Sequence, residues 1–360
     1  HYCPESINKI FSAFGAKPIL VTNWSSSNNI LLNKLRADGF SENVNIFNDI
    51  TIGTTRLISY PNLTDAAVNI DTFLIVHDTK YNYSVINFND CSPSDQSLNY
   101  CQDFTLSHPG LVLLCLGYAG AGPYPQNHYS PTLNADILAL KAQQKKEVFF
   151  QRYRTISSMF PGSYRIPFAG KYDLVGPLAL LNKYRGVPDP LEVLNFDSNA
   201  YILADGQDSY FDLITAKPSR LRTIPYEDVD PIPKSSNYYW ESLFNFEPSL
   251  DLLKRLLIKA LDRSHQYSKC TEDRLWKIHV YKSLTTDFAS RLEDPHLNSN
   301  IILTFNTNSI KNPLDTPSHI LSESHLFIDS KALLAVLLRL THWNNYEIGS
   351  VYQVRRYPDH

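Results

Sequence analysis

The sequence predicts an α/β layered domain followed by a smaller α+β part. Three observations carry that expectation. Apolar runs without alternation, such as residues 111–116, mark strands buried on both faces. Helical segments are interspersed with such strands, from residues 4–14 to 133–160. Past residue 222 the texture changes, and an Asp- and Pro-rich stretch over 225–233 reads as a linker or arm. The division is therefore drawn as residues 1–222 and 223–360.

In chain order, residues 4–14 read as a helix, with Pro4 in its first turn and Gly15 past its end. Residues 17–22 form a short apolar strand. Ser25 to Ser27 offer caps for a helix through Ala37, closed by Gly39. Strands follow at 44–47 and 51–60. A hairpin is expected from 71–77 and 81–88 across Asp78-Thr79-Lys80. Residues 94–101 read as a short helix, and 133–160 as a long one stopped by Pro161-Gly162. A strand is expected at 164–167, and two more at 199–203 and 210–213 around Asp205-Gly206. In the later part, Leu250, Leu253, Leu257 and Leu261 recur at steps of three, four and four, the stripe of a helix over 248–263. Strands near 276–281 and 301–305 follow, and Phe327-Ile328 leads into a helix at 330–340.

Composition narrows the function. Hydrophobic residues make up 43% and charged residues 19%, enough apolar surface for a sizeable core. A net charge of −3 without basic blocks gives no footprint for nucleic acid. No apolar run reaches the roughly 18 residues needed to cross a bilayer. The five cysteines are odd in number and contain no CxxC pair, so a disulfide framework is not expected and a cytoplasmic location is. The sequons at Asn23, Asn62 and Asn82 read as incidental.

Several constellations are candidates for chemistry. Asp90 follows an apolar strand and precedes Cys91-Ser92-Pro93, a place for a carboxylate that binds a cation or for one that caps the next helix. His1, just before a helix, is either a metal ligand or a fraying end. The small residues of Gly117-Tyr118-Ala119-Gly120-Ala121-Gly122, followed by Tyr124, line a pocket or pack a tight turn. Lys171, Lys183 and Arg185 are placed to bind an anion or to decorate a solvated helix end. His342-Trp343-Asn344-Asn345 closes over a pocket or docks one part on the other. No GxSxG elbow and no HExxH occurs.

Asn89-Asp90-Cys91, Tyr118-Ala119-Gly120-Ala121 with Tyr124-Pro125, and Ile166-Pro167-Phe168-Ala169-Gly170 together resemble the metallo-β-lactamase fold superfamily. Asn182 with Tyr184-Arg185-Gly186 supports the resemblance, which covers about residues 1–215. The closest branch is the one of CMP-N-acetylneuraminate hydroxylase-like and lactonase-like proteins. The resemblance implies a partial αββα sandwich. It also implies a zinc or iron site with His1 as the last histidine of a His-x-His-x-Asp-His run and Asp90 as the bridging aspartate. The rest of that run, and the strands before it, would lie upstream, or a partner chain would cover the open sheet. Asn69 or Asp71 stands where a later histidine is expected, and Phe168-Ala169-Gly170-Lys171-Tyr172 where the final one is.

The implied activity is metal-dependent hydrolysis of a small anionic ester, lactone or phosphoester by an activated water. Asp90 and Tyr118 would be catalytic. Tyr124, Lys171, Asn182 and Arg185 would contact substrate. The alternative is a catalytically silent binding or scaffolding protein on the same fold.

Overall fold

The computed structural model describes residues 3–22, 30–61, 72–88, 91–131, 133–168, 170, 172–174, 176–203, 210–219, 242–267, 274–281, 296, 299–306 and 322–357. It is a mixed α/β protein with several sheets. The chain divides into two compact units. One takes residues 1–120, 149–170 and 188–228, and the other takes 121–148, 171–187 and 229–360. The sequence places a single boundary after residue 222; the units interleave instead, and one crossing falls inside the helix Ala135–Ser158. The linker expected at 225–233 lies outside the described residues.

The first unit opens with the helix Pro4–Phe14 and a parallel pair, β1 (Ile19–Thr22) and β2 (Val44–Phe47). Val21, Leu35 and Phe40 make a small core beneath them. Its main body is a six-stranded sheet of β3 (Asp49–Ile52), β4 (Thr55–Pro61), β5 (Thr72–Asp78), β6 (Tyr83–Asn87), β7 (Leu111–Gly117) and β8 (Tyr164–Phe168), paired in that order. The first four strands run antiparallel, and β6–β7 and β7–β8 are parallel. The single strand expected over 51–60 is a hairpin, because Gly53 takes a φ of +62° and turns the chain there.

Alternation sets the covered face. Phe73 and Ile75 of β5, Ile86 of β6, and Leu114 and Leu116 of β7 are buried in one cluster. The helices Asp95–Ser107 and Ala135–Ser158 supply Leu98, Cys101, Phe104, Phe150, Tyr153 and Ile156 to the same cluster. The opposite face, with Leu74, Val76 and Val85, is half-buried. A buried ion pair fixes the end of the sheet: Arg165 on β8 meets Asp197 at 2.9 Å, and Tyr153 donates to the same carboxylate at 3.0 Å. The strand expected at 210–213 is β9 (Tyr210–Asp212), paired in a short hairpin with β10 (Lys217–Ser219), while the one expected at 199–203 is reduced to a bridge at Ala200.

The second unit is built on a four-stranded sheet of β11 (Leu275–Tyr281), β12 (Ser299–Asn306), β13 (Glu323–Asp329) and β14 (Gln353–Tyr357), in spatial order β12-β11-β13-β14. β11 and β13 run parallel; the other two pairings are antiparallel. Trp276, Ile278 and Val280 of β11, with Leu326 and Ile328 of β13, belong to the core on one face. The leucine stripe of the helix Leu250–Tyr267 and the apolar helix Ser330–Leu337 pack into that core. Leu253 and Leu257 are buried as the spacing predicts, each contributing about 1.5–3 kcal/mol. Asp329 caps the second helix by accepting from the backbone of Lys331 and Ala332. That helix ends at Leu337, short of residue 340, and Arg339 then takes a φ of +62°. β14 has no counterpart in the sequence reading.

Candidate metal centre

Alternation in β11 and β13 turns one set of side chains away from the core. Lys277 and His279 sit two apart on β11, and Glu323, His325 and Phe327 two apart on β13. The parallel register pairs Lys277 with His325 and His279 with Phe327. One polar and aromatic patch therefore forms where two sequence segments about 46 residues apart are laid side by side.

His279, His296 and His325 converge in this patch, with one ligand atom of each within 4.8 Å of the others. His279 and His325 are buried, and His296, on a turn before β12, is exposed. Phe327 stacks on the His279 ring with centroids 4.3 Å apart, and His296 stands edge-on to His279 at 5.1 Å. These three histidines could hold a metal ion.

The outer nitrogens have partners of their own. Ser299 donates its hydroxyl to the carbonyl of His296 at 3.1 Å, and Nδ1 of His279 lies 3.4 Å from the same oxygen. Glu323 accepts from Nε2 of His325 and from Lys277 Nζ, the latter at 2.6 Å. Nδ1 of His325 therefore faces inward, 3.0 Å from Nε2 of His279. Two nitrogens on a tetrahedral zinc, each about 2.0–2.1 Å from the ion, would stand about 3.3 Å apart. The pair is near that spacing.

The electrostatics keep the inner donor available. Burial, then the neighbouring His325, His296 and Lys277, lowers the pKa of His279 from 6.5 to about 4, so its ring is neutral at physiological pH. Burial raises Glu323, but the hydrogen bonds from Lys277 and His325 outweigh it and hold the carboxyl below its ordinary value. Glu323 is thus an acceptor only, which is what keeps a proton on the outer nitrogen of His325.

The residues expected from the sequence fall elsewhere. His1, Asp90 and Lys171 lie outside the described residues. Tyr118 is buried in the core of the first unit. Tyr124 belongs to the second unit and is exposed, its ring edge-on to His128. Asn182 bonds the backbone of Leu174 through both side-chain atoms, at 2.8 and 2.9 Å. Arg185 is buried, pairs with Asp173 at 2.8 Å and lies over the Tyr172 ring. Asn182 and Arg185 are thus engaged in closing loops of the second unit. The sequence reading missed the histidines, though one signal was there: Lys277-x-His279 and Glu323-x-His325 each place a charge two residues before a histidine, on one face of a strand.

No protein-family model matches this chain, and no curated protein matches it significantly. No described helix is long and apolar enough to cross a membrane.

Proposed function

We propose that this protein binds a divalent transition metal, zinc ahead of iron, through His279, His296 and His325, and uses it to hydrolyse a small anionic ester, lactone or phosphoester. One observation carries the metal reading. Two buried imidazole nitrogens face each other at 3.0 Å while the outer nitrogens are committed to Ser299 and Glu323. Two nitrogens this close need a proton or a cation between them, and the exposed third histidine supplies a further donor.

The hydrolytic part is supported by the donor set. Three protein nitrogens with one side open to solvent leave a coordination position for water, the arrangement of catalytic rather than structural zinc. A bound ion of this kind activates water and polarises a carbonyl or phosphoryl oxygen. The three histidines would hold the ion, and Phe327, stacked on His279, shields its buried side.

A silent, purely ligand-binding role is the second reading. It is favoured by Glu323, whose carboxylate is engaged by Lys277 and His325 and so is not placed as a general base. The metallo-β-lactamase-like sandwich expected for residues 1–222 is part of this proposal. The mixed sheet of the first unit supports an α/β layer, and the motif segments alone carry the family attribution. A cytoplasmic location is supported by Cys3, Cys101 and Cys115, which form no disulfide among the described residues.

The test is metal analysis of protein purified without chelators and after reconstitution with zinc, beside a His279→Ala, His325→Ala double variant. Near-stoichiometric zinc in the native protein and its loss in the variant are expected. A native stoichiometry near zero after reconstitution overturns the metal reading. Metal without turnover of any ester, lactone or phosphoester in a panel leaves the silent binder.

A further inference from the structure

We infer that Lys277 and Glu323 form a positioning pair that fixes His325 as the Nε2–H tautomer and so turns its Nδ1 toward His279 and His296. The inference rests on the metal reading of this site but is measurable apart from it. Its basis is the strand register. Because β11 and β13 are parallel and Lys277 lies opposite His325, the lysine ammonium reaches Glu323, two residues earlier on the neighbouring strand. A single oxygen, Oε1 of Glu323, receives both Lys277 Nζ and the outer nitrogen of His325.

Each member of this chain has one job. Lys277 Nζ, 2.6 Å from Oε1, holds the Glu323 carboxylate in its rotamer beside the outer nitrogen of His325. An ionised carboxylate has no proton to donate, so the nitrogen it touches must carry one. The imidazole then has its remaining lone pair on Nδ1, the atom 3.0 Å from Nε2 of His279. Tyr357 packs edge-on against His325 with centroids 5.5 Å apart and limits rotation of the ring. A ring flip would send Nε2 inward and leave Glu323 facing Nδ1, a different site. Carboxylate–histidine pairs of this kind raise ligand basicity and orient the ring, and their loss costs roughly 10–100-fold in metal affinity.

Neither residue would touch the ion, so both are positioning residues. The sequence separates them from the histidine by two positions on one strand and by a strand pairing on the other, which is why no local motif announces the pair.

The experiment has two readouts on the native protein, Glu323→Ala and Lys277→Met. Long-range proton–nitrogen correlation spectra of histidine-labelled, metal-free protein report the tautomer of His325 directly. Zinc affinity by competition with a chromophoric chelator reports the consequence. The native protein is expected to show His325 as the Nε2–H form. Glu323→Ala is expected to mix the tautomers and weaken zinc by about 10–100-fold, and Lys277→Met to do the same more mildly. Glu323→Gln, whose amide oxygen can still accept, should recover part of the loss. An unchanged tautomer in Glu323→Ala, or a native His325 in the Nδ1–H form, overturns the inference. If the native protein binds no zinc, the function proposed above fails while the tautomer spectra still decide this one. Unchanged zinc affinity in Glu323→Ala with native binding intact sinks the positioning role alone.

Discussion

His279 is a base kept neutral by its surroundings, and this has a consequence for pH. Its folded pKa of about 4 lies below the ordinary 6.5. Between those values the unfolded chain takes up a proton that the folded chain resists. Stability contributed by this residue is therefore full above about pH 6.5 and is lost progressively down to about pH 4. At roughly 1.36 kcal/mol per unit the loss is at most about 3 kcal/mol. Denaturant titrations of metal-free protein at pH 7, 6 and 5 should show it. The variant His279→Gln should lose less stability over that range than the native chain, and parallel curves would contradict the assignment.

One buried polar clasp ties several elements of the first unit together. Arg165 on β8 pairs with Asp197, and the same aspartate accepts from Tyr153 in the helix Ala135–Ser158 and from the backbone of Asn199. Burial, and then the Asp197 carboxylate, push the Tyr153 phenol up, so it stays a donor. Arg165 also donates to the carbonyls of Ser157 and Phe160. Strand, helix end and loop therefore share one charged node. Removing the acid leaves a guanidinium buried without its counter-charge, so Asp197→Ala should cost about 3–5 kcal/mol. Replacing both partners with apolar residues should cost less than the two single changes together. Guanidinium midpoints for the two singles and the double settle this; additive losses would mean the pair is not coupled.

At the scale of the whole molecule, each of the two units has its own sheet and its own core. The candidate centre belongs entirely to the second unit, so zinc should act on that unit. Zinc at a hundredfold over its dissociation constant would stabilise the folded form by about 2.7 kcal/mol, or roughly 5–10 °C in Tm for a unit of this size. Hydrogen exchange should slow in β11, β12 and β13 when zinc is added. No change in those strands, with zinc bound, would place the ion elsewhere.

Much of the element list is legible in the chain itself because local chemistry sets it. Pro4 and Gly15 bracket the first helix, the leucine stripe makes a buried helical face, and the apolar run at 111–117 makes a central strand. The hairpin of β3 and β4 was hidden because its turn depends on one glycine's positive φ within a run of β-formers. Gly110 is similar: a side chain there would meet the backbone oxygen of Asn82 at 2.0 Å, an approach visible only once β6 and β7 are paired. The histidine cluster was illegible for the same reason at larger scale. His279 and His325 are ordinary members of two strands until a parallel register sets one diagonal to the other, and His296 belongs to no regular element at all. The sequence by itself determined most of the helices and strands and the apolar faces they bury, because those follow from the periodicity of neighbouring side chains. Only the tertiary structure decided that three histidines able to hold a metal ion come together, because that depends on which strand lies beside which.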